Sequence, residues 1–136
     1  MSSAADSAAP ASVLVYSHRP EVRDAVRTAV GRRPAADVGP LTWIECQTGD
    51  EVVAAVDEGG VDLCILDGEA QPTGGMGVSR QLKNEIYRCP PILVLTGRRE
   101  DAWLASWSQA DLAVPHPLDP AAVAQAVAVL ARRRLG

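Results

Sequence analysis

Apolar residues along this chain alternate between short unbroken runs and wider stripes of helical spacing. Ser12 to Tyr16 (SVLVY) reads as a buried strand. Pro20 opens a helix in which Val22, Ala25, Val26, Ala29 and Val30 keep the i, i+3, i+4, i+7, i+8 spacing of one buried face. Gly31 and Pro34 end it. Leu41 to Cys46 is a second strand, interrupted by Thr42 and Glu45. Thr48-Gly49-Asp50-Glu51 matches a capping box, whose hydroxyl and carboxylate satisfy orphan amides at a helix start. The helix it opens carries Val52, Val53 and Val56 and stops at Gly59-Gly60.

Val61 to Leu66 (VDLCIL) forms a third strand, followed by a Gly-rich loop from Asp67 to Gly77. Val78, Leu82 and Ile86 mark the next helix, and Pro91 to Leu95 (PILVL) a fourth strand. Trp103 and Trp107 stand at i, i+4 spacing on the helix after it. Leu112 to Pro115 is a short fifth strand. Asp119 then caps a last helix with Pro120 at its first position, where a missing N–H costs nothing, and Val123, Ala126, Val127 and Leu130 as its buried stripe. Strands separated by helical crossovers predict a (βα)₅ fold: a five-stranded parallel sheet covered by helices on both faces.

Composition narrows the function classes. The chain has 136 residues, 47% hydrophobic and 22% charged, which is the profile of one globular domain. Residues 1–11 are small and polar and predict a flexible tail; residues 12–135 make a single domain, with no room for an effector domain. A net charge of −4 argues against a broad basic face for nucleic acid. Arg132-Arg133-Arg134 suits a solvated helix terminus. Cys46, Cys64 and Cys89 are an odd, widely spaced set, which fits a reducing, cytoplasmic setting. No run approaches the roughly 18 apolar residues needed to span a membrane.

In open α/β sheets, chemistry gathers outside the carboxyl ends of the strands. That rule selects Ser17 and His18 after strand one, Asp67 after strand three, Thr96 after strand four and His116 after strand five. Asp67 is the sharpest candidate because it follows an almost wholly apolar run, although Asp also starts many turns.

These residues resemble the receiver domains of two-component response regulators, the CheY-like family, over about Ser12 to Leu135. The run DLCILDGEAQPTGGMG is similar to the family's third strand ending in the phosphoryl-accepting Asp, with Asp67, Pro72 and Gly77 in the matching places and a slightly longer loop. PPILVLTG resembles the fourth strand with its switch hydroxyl, Thr96. AVPHPLDP resembles the Lys-Pro segment, with Pro117 in the Pro position and a cis His116–Pro117 bond implied. The resemblance implies a flavodoxin-like three-layer sandwich of strand order 2-1-3-4-5, in a bacterial, cytoplasmic phosphorelay protein.

Three departures accompany the matches. The usual pair of Mg²⁺-binding carboxylates reads Ser17 and His18, the usual Lys reads His116, and the switch aromatic reads Ala113. Lys83, the only lysine, lies on the third helix. Mg²⁺ is a hard cation that wants oxygen ligands, so binding through Asp67 and an accessory Glu69 is expected to be weak, with no other cofactor. Arg98 or Arg19 is the candidate to clamp an anion instead, with surface solvation the plainer reading of either. With Ser17 and His18 in place of two carboxylates the usual repulsion is gone, and an Asp67–His18 contact is expected to hold the site without metal.

The expected function is a stand-alone atypical receiver, not an enzyme, whose output is binding to a histidine kinase or downstream protein. A phosphorylation-independent adaptor is the alternative. Trp103 and Trp107 mark an interaction face on the fourth helix, and the family's helix 4–strand 5–helix 5 face implies a homodimer as one partner; partial core packing is the plainer reading of both rings. A small-ligand reading would use Gly74-Gly75-Met76-Gly77 as an anion cradle before a helix. A transition-metal reading would gather His18, His116, Asp67 and Glu69. No nucleotide-binding Gly motif supports the former, and no ligand spacing the latter.

Overall fold

The computed structural model describes residues 10–97 and 102–135. Strands β1 (Ala11–Tyr16), β2 (Leu41–Cys46), β3 (Leu63–Asp67), β4 (Ile92–Thr96) and β5 (Leu112–Pro115) form one sheet in the order β2-β1-β3-β4-β5. Every pairing is parallel. The helices are α1 (Pro20–Val30), α2 (Gly49–Glu58), α3 (Gly75–Glu85), α4 (Ala102–Trp107) and α5 (Pro120–Leu135).

Side-chain alternation along the strands divides the core in two. Val13, Val15, Leu63, Ile65, Leu93 and Leu95 meet α1 and α5 on one face. Leu14, Tyr16, Cys64, Leu66, Ile92 and Val94 meet α2 and α3 on the other. Both faces of β3 and β4 are buried along their whole length, which is why those strands read as continuous apolar runs. The sheet then delivers Asp67 and Thr96, polar residues at the last positions of two fully buried strands, to one rim.

Several boundaries move. β1 begins at Ala11, inside the expected tail. β3 takes in Asp67 but starts only at Leu63, because Asp62 turns its carboxylate to the Ser12 amide (2.7 Å). Pro91 has no N–H to contribute to the sheet and serves instead through its carbonyl, which accepts from Cys64 (2.9 Å). On α1 the buried stripe is Val22, Val26 and Val30; Ala25 is exposed and Arg23 is buried.

The caps hold. Thr48 Oγ1 accepts from the Glu51 amide (3.1 Å), while Glu51 reaches back to the amide of Gln47, one residue before the cap (3.1 Å). Asp119 Oδ1 accepts from the Ala121 amide (3.1 Å). At the far end of α5, Arg132 grips Asp37 with two nitrogens (2.6 and 2.8 Å), and this holds the Asp37 carboxyl below its ordinary range. Among the described residues no helix is long and apolar enough to cross a membrane.

Candidate functional site

Asp67 ends β3 with its side chain wholly buried, and among the described residues four groups from three segments face it. Ser17, the first residue after β1, donates its hydroxyl to Oδ2 (2.8 Å). The Glu69 amide donates to Oδ1 (3.0 Å), so the carboxylate folds the start of its own loop. Arg19 Nη2 lies 3.8 Å from Oδ2, and His116 Nε2 lies 3.5 Å from Oδ1 and 4.0 Å from Glu69 Oε1. Neither of these last approaches is short enough for a hydrogen bond. Arg19 Nε and His116 Nε2 are buried atoms without a hydrogen-bond partner among the described residues.

His18 does not make the expected contact with Asp67. Its Nδ1 accepts from the Gln71 amide (2.9 Å) and pins the β3–α3 loop. Residues leaving a strand alternate in direction, so when Ser17 turns inward to Asp67 its neighbour must turn away. Ser17, read as a mere loss, is the residue that takes the partnership. The four-residue transition-metal grouping therefore loses a member, and among the described residues no three His, Cys, Asp or Glu side chains are placed to share an ion.

Other expected residues fall around this centre. Thr96 ends β4 almost fully buried, and its carbonyl accepts from the His116 amide (2.8 Å), which sets His116 at the rim. The His116–Pro117 and Gln71–Pro72 bonds are both cis. Glu69 lays its carboxylate over Gly97, where an added Cβ would stand 3.1 Å from Glu69 Cδ and Oε2. Lys83 pairs with Asp111 (2.8 Å), which also accepts from the Ile92 amide, so its charge serves the β4–β5 edge. Arg98 lies outside the described residues.

The glycine run is not an anion cradle. A Cβ at Gly75 would lie 2.6 Å from the Asp67 carbonyl oxygen and 2.8 Å from the Leu66 carbonyl carbon, and one at Gly74 would lie 2.9 Å from the Gly68 oxygen. Those faces are filled by the chain's own backbone; the glycines let α3 abut the end of β3.

Two supports escaped the sequence. Tyr16 is buried in the core and donates its hydroxyl to the Thr73 carbonyl, fixing the same loop that His18 holds. Burial first, and the nearby Asp67 charge second, push its phenol above the ordinary value. Arg23 donates to the Ser17 carbonyl (2.7 Å) and pairs with Glu45 (3.0 Å), which Arg27 also binds (2.9 Å). The strand-breaking look of Glu45 was its signal, since on β2 it points to the α1 side. An open groove of about 660 Å³ between α1 and the β2 edge, lined by Arg27, Thr28, Arg32 and Trp43 among others, does not include Asp67.

Trp103 and Trp107 are both exposed, at 67% and 45%, so core packing is not their role. Arg80 from α3 stacks over Trp107 at 4.7 Å and donates to its carbonyl (2.7 Å).

Comparison with known proteins supplies the family. Two curated proteins of Mycobacterium tuberculosis, from strains CDC 1551/Oshkosh and ATCC 25618/H37Rv, are named uncharacterized response regulatory proteins. Each is 53% identical over 127 residues, covering 93% of this chain and 96% of the relative. The chain belongs to the response regulators. No protein-family model matches it.

Solved receivers share its fold. The signal receiver domain of a Luxo repressor protein from Vibrio parahaemolyticus superposes with a TM-score of 0.76 at 17% identity, covering 93% of each chain. A LuxR-family two-component response regulator from Aurantimonas sp. SI85-9A1 reaches 0.74 at 26% identity, over 93% of this chain and 89% of its own. The response regulator TrrA from Thermotoga maritima, solved in complex with Mg²⁺ and BeF, reaches 0.71 at 22% identity, over 88% and 98%. The protein is thus a receiver of two-component signalling, with Asp67 at the end of the third strand of that fold.

Proposed function

We propose that this receiver works without the ordinary magnesium-dependent phosphorylation site and delivers its signal by binding protein partners. One observation carries the reading: among the described residues, the groups that face Asp67 are a hydroxyl, a backbone amide, a guanidinium and an imidazole. Magnesium needs an octahedron of hard oxygens, usually with one or two carboxylates. Here the Ser17 proton already serves Asp67, and a permanently charged Arg19 would repel a second cation from Oδ2. Glu69, the other carboxylate at this rim among the described residues, is drawn over Gly97 toward His116. These residues do not fit the metal.

The output side rests on α4, where two exposed indoles, that of Trp107 stacked under Arg80, make the kind of aromatic and arginine surface favoured at protein interfaces. The partner is a histidine kinase, a downstream protein or a second copy of this chain, rather than nucleic acid, and the protein acts by docking in the cytoplasm rather than by turning over a substrate. A phosphorylation-independent adaptor is the second reading. It is favoured by Ala113, an exposed methyl where receivers place a switch aromatic.

Calorimetric titration of the full chain with MgCl₂ tests the site: no saturation is expected across the low millimolar range. Tight, saturable uptake would overturn it. For the output, Trp103→Ala is expected to weaken self-association or capture by a cognate kinase while the circular dichroism melt stays unchanged. Unaltered sedimentation together with unaltered capture would refute the docking face.

A further inference from the structure

A carboxylate as buried as Asp67 must be hydrogen-bonded and balanced by opposite charge, or it neutralises itself. Of the two side-chain nitrogens that face it among the described residues, the one on Arg19 belongs to a guanidinium, the cationic group suited to a buried carboxylate. Its backbone is fixed in three ways. The Arg19 amide donates to Ser17 Oγ (3.1 Å), the same hydroxyl that donates to Asp67. Its carbonyl accepts from the Val22 and Arg23 amides at the start of α1, and Pro20 follows it at the first helical position. Arg23 meanwhile holds the Ser17 carbonyl from below. The chain therefore leaves β1 on a defined course that brings the guanidinium over Oδ2. On the other side of the carboxylate stands His116 Nε2, nearest to Oδ1.

We propose that Arg19 is a tethered counter-cation that takes the place of a divalent metal at Asp67, and that Arg19 and His116 together receive a tetrahedral oxyanion built onto that carboxylate. The inference rests on Asp67 being the acceptor position of a receiver. Arg19 Nε and His116 Nε2 have no partner among the described residues, and oxygens carried outward from Asp67 would meet both. With acetyl phosphate as donor, an Asp67 oxygen bonds to phosphorus as the bond from phosphorus to the acetyl oxygen breaks. Acetate leaves with the electron pair, and no proton needs to move. The charge on the three transferred oxygens is met by preorganised N–H donors, which is the contribution a metal would otherwise make.

The test is intact-mass analysis of the full chain incubated with acetyl phosphate, in EDTA and in MgCl₂. A gain of one phosphoryl group is expected at similar rates in both buffers, and none in Asp67→Asn. Arg19→Ala is expected to slow the reaction in EDTA by about 100-fold, the usual effect of removing one such donor. Arg19→Lys, which keeps the charge, is expected to recover much of the rate. Arg19→Ala is further expected to become responsive to Mg²⁺, which a merely structural role for Arg19 would not produce. Arg19 is 40% exposed, so its variants are expected to fold, and Arg19→Gln serves if the alanine variant does not.

A wild-type reaction that needs Mg²⁺ and vanishes in EDTA would overturn the inference, and with it the metal-poor reading of the site. Equal rates for wild type and Arg19→Ala in EDTA would overturn the inference alone. No phosphoryl gain in either buffer would also overturn it while leaving partner docking through α4 standing, because that is read separately with Trp103→Ala.

Discussion

Asp67 and Ser17 are coupled through one buried hydrogen bond, and their energetics follow from it. Ser17→Ala deletes the hydroxyl and leaves Oδ2 to the more distant Arg19. A buried acceptor stripped of its donor costs about 1–3 kcal/mol. Urea unfolding of Ser17→Ala is expected to lose that much, and a midpoint equal to wild type would show that the bond contributes nothing. Asp67 itself was legible in the sequence, as a charged residue closing an apolar run. Which neighbour would meet it was not. His18 and Ser17 are adjacent and equally polar, and their roles depend on which one the β1 twist turns inward. Tyr16 and Arg23 were hidden for a related reason: each lies within an apolar pattern, and its polar tip finds a loop carbonyl or strand carbonyl that no pattern foretells.

Among the elements, the β3–α3 junction is closely packed. Gly75 begins α3 against the carbonyls of Leu66 and Asp67, so the helix start and the end of β3 are fused by backbone contact. Gly75→Ala must push backbone aside and is expected to cost about 1–3 kcal/mol, the range for overpacked cores. Gly77, two residues on in the same helix, has nothing within 4 Å of an added Cβ. Gly77→Ala is therefore expected to gain roughly 0.5–1 kcal/mol through helix propensity alone. Thermal melts of the pair check both signs, and a stable Gly75→Ala would contradict the junction. The sequence showed glycines and a loop here. It could not separate a glycine needed for close approach from one that merely sits in a helix.

For the whole molecule, burial of thiols sets a pH limit. Burial, reinforced by Glu51, pushes the Cys46 thiol from 9.0 up to about 11, and burial pushes Cys64 up further still. A raised folded-state value means the native state keeps its proton after the unfolded chain has lost it. The stabilisation is full below about pH 9 and declines as pH rises toward the folded value. Denaturant midpoints are expected to fall from pH 9 to 11, and Cys46→Ala to flatten that fall; a wild-type curve level through pH 11 would refute it. The same two-faced burial explains what was readable. Strand and helix order, the parallel sheet and the rim position of Asp67 follow from periodicity, because a strand covered on both faces must be apolar and the first polar residue after it must lie at the rim. The side-chain partners of Asp67 come from loops at positions 17, 19 and 116, far from it along the chain, and no local pattern encodes their meeting. Only the packing of α1, β5 and the cis-proline segment around one sheet edge decided that a guanidinium and an imidazole, rather than His18, face the acidic centre.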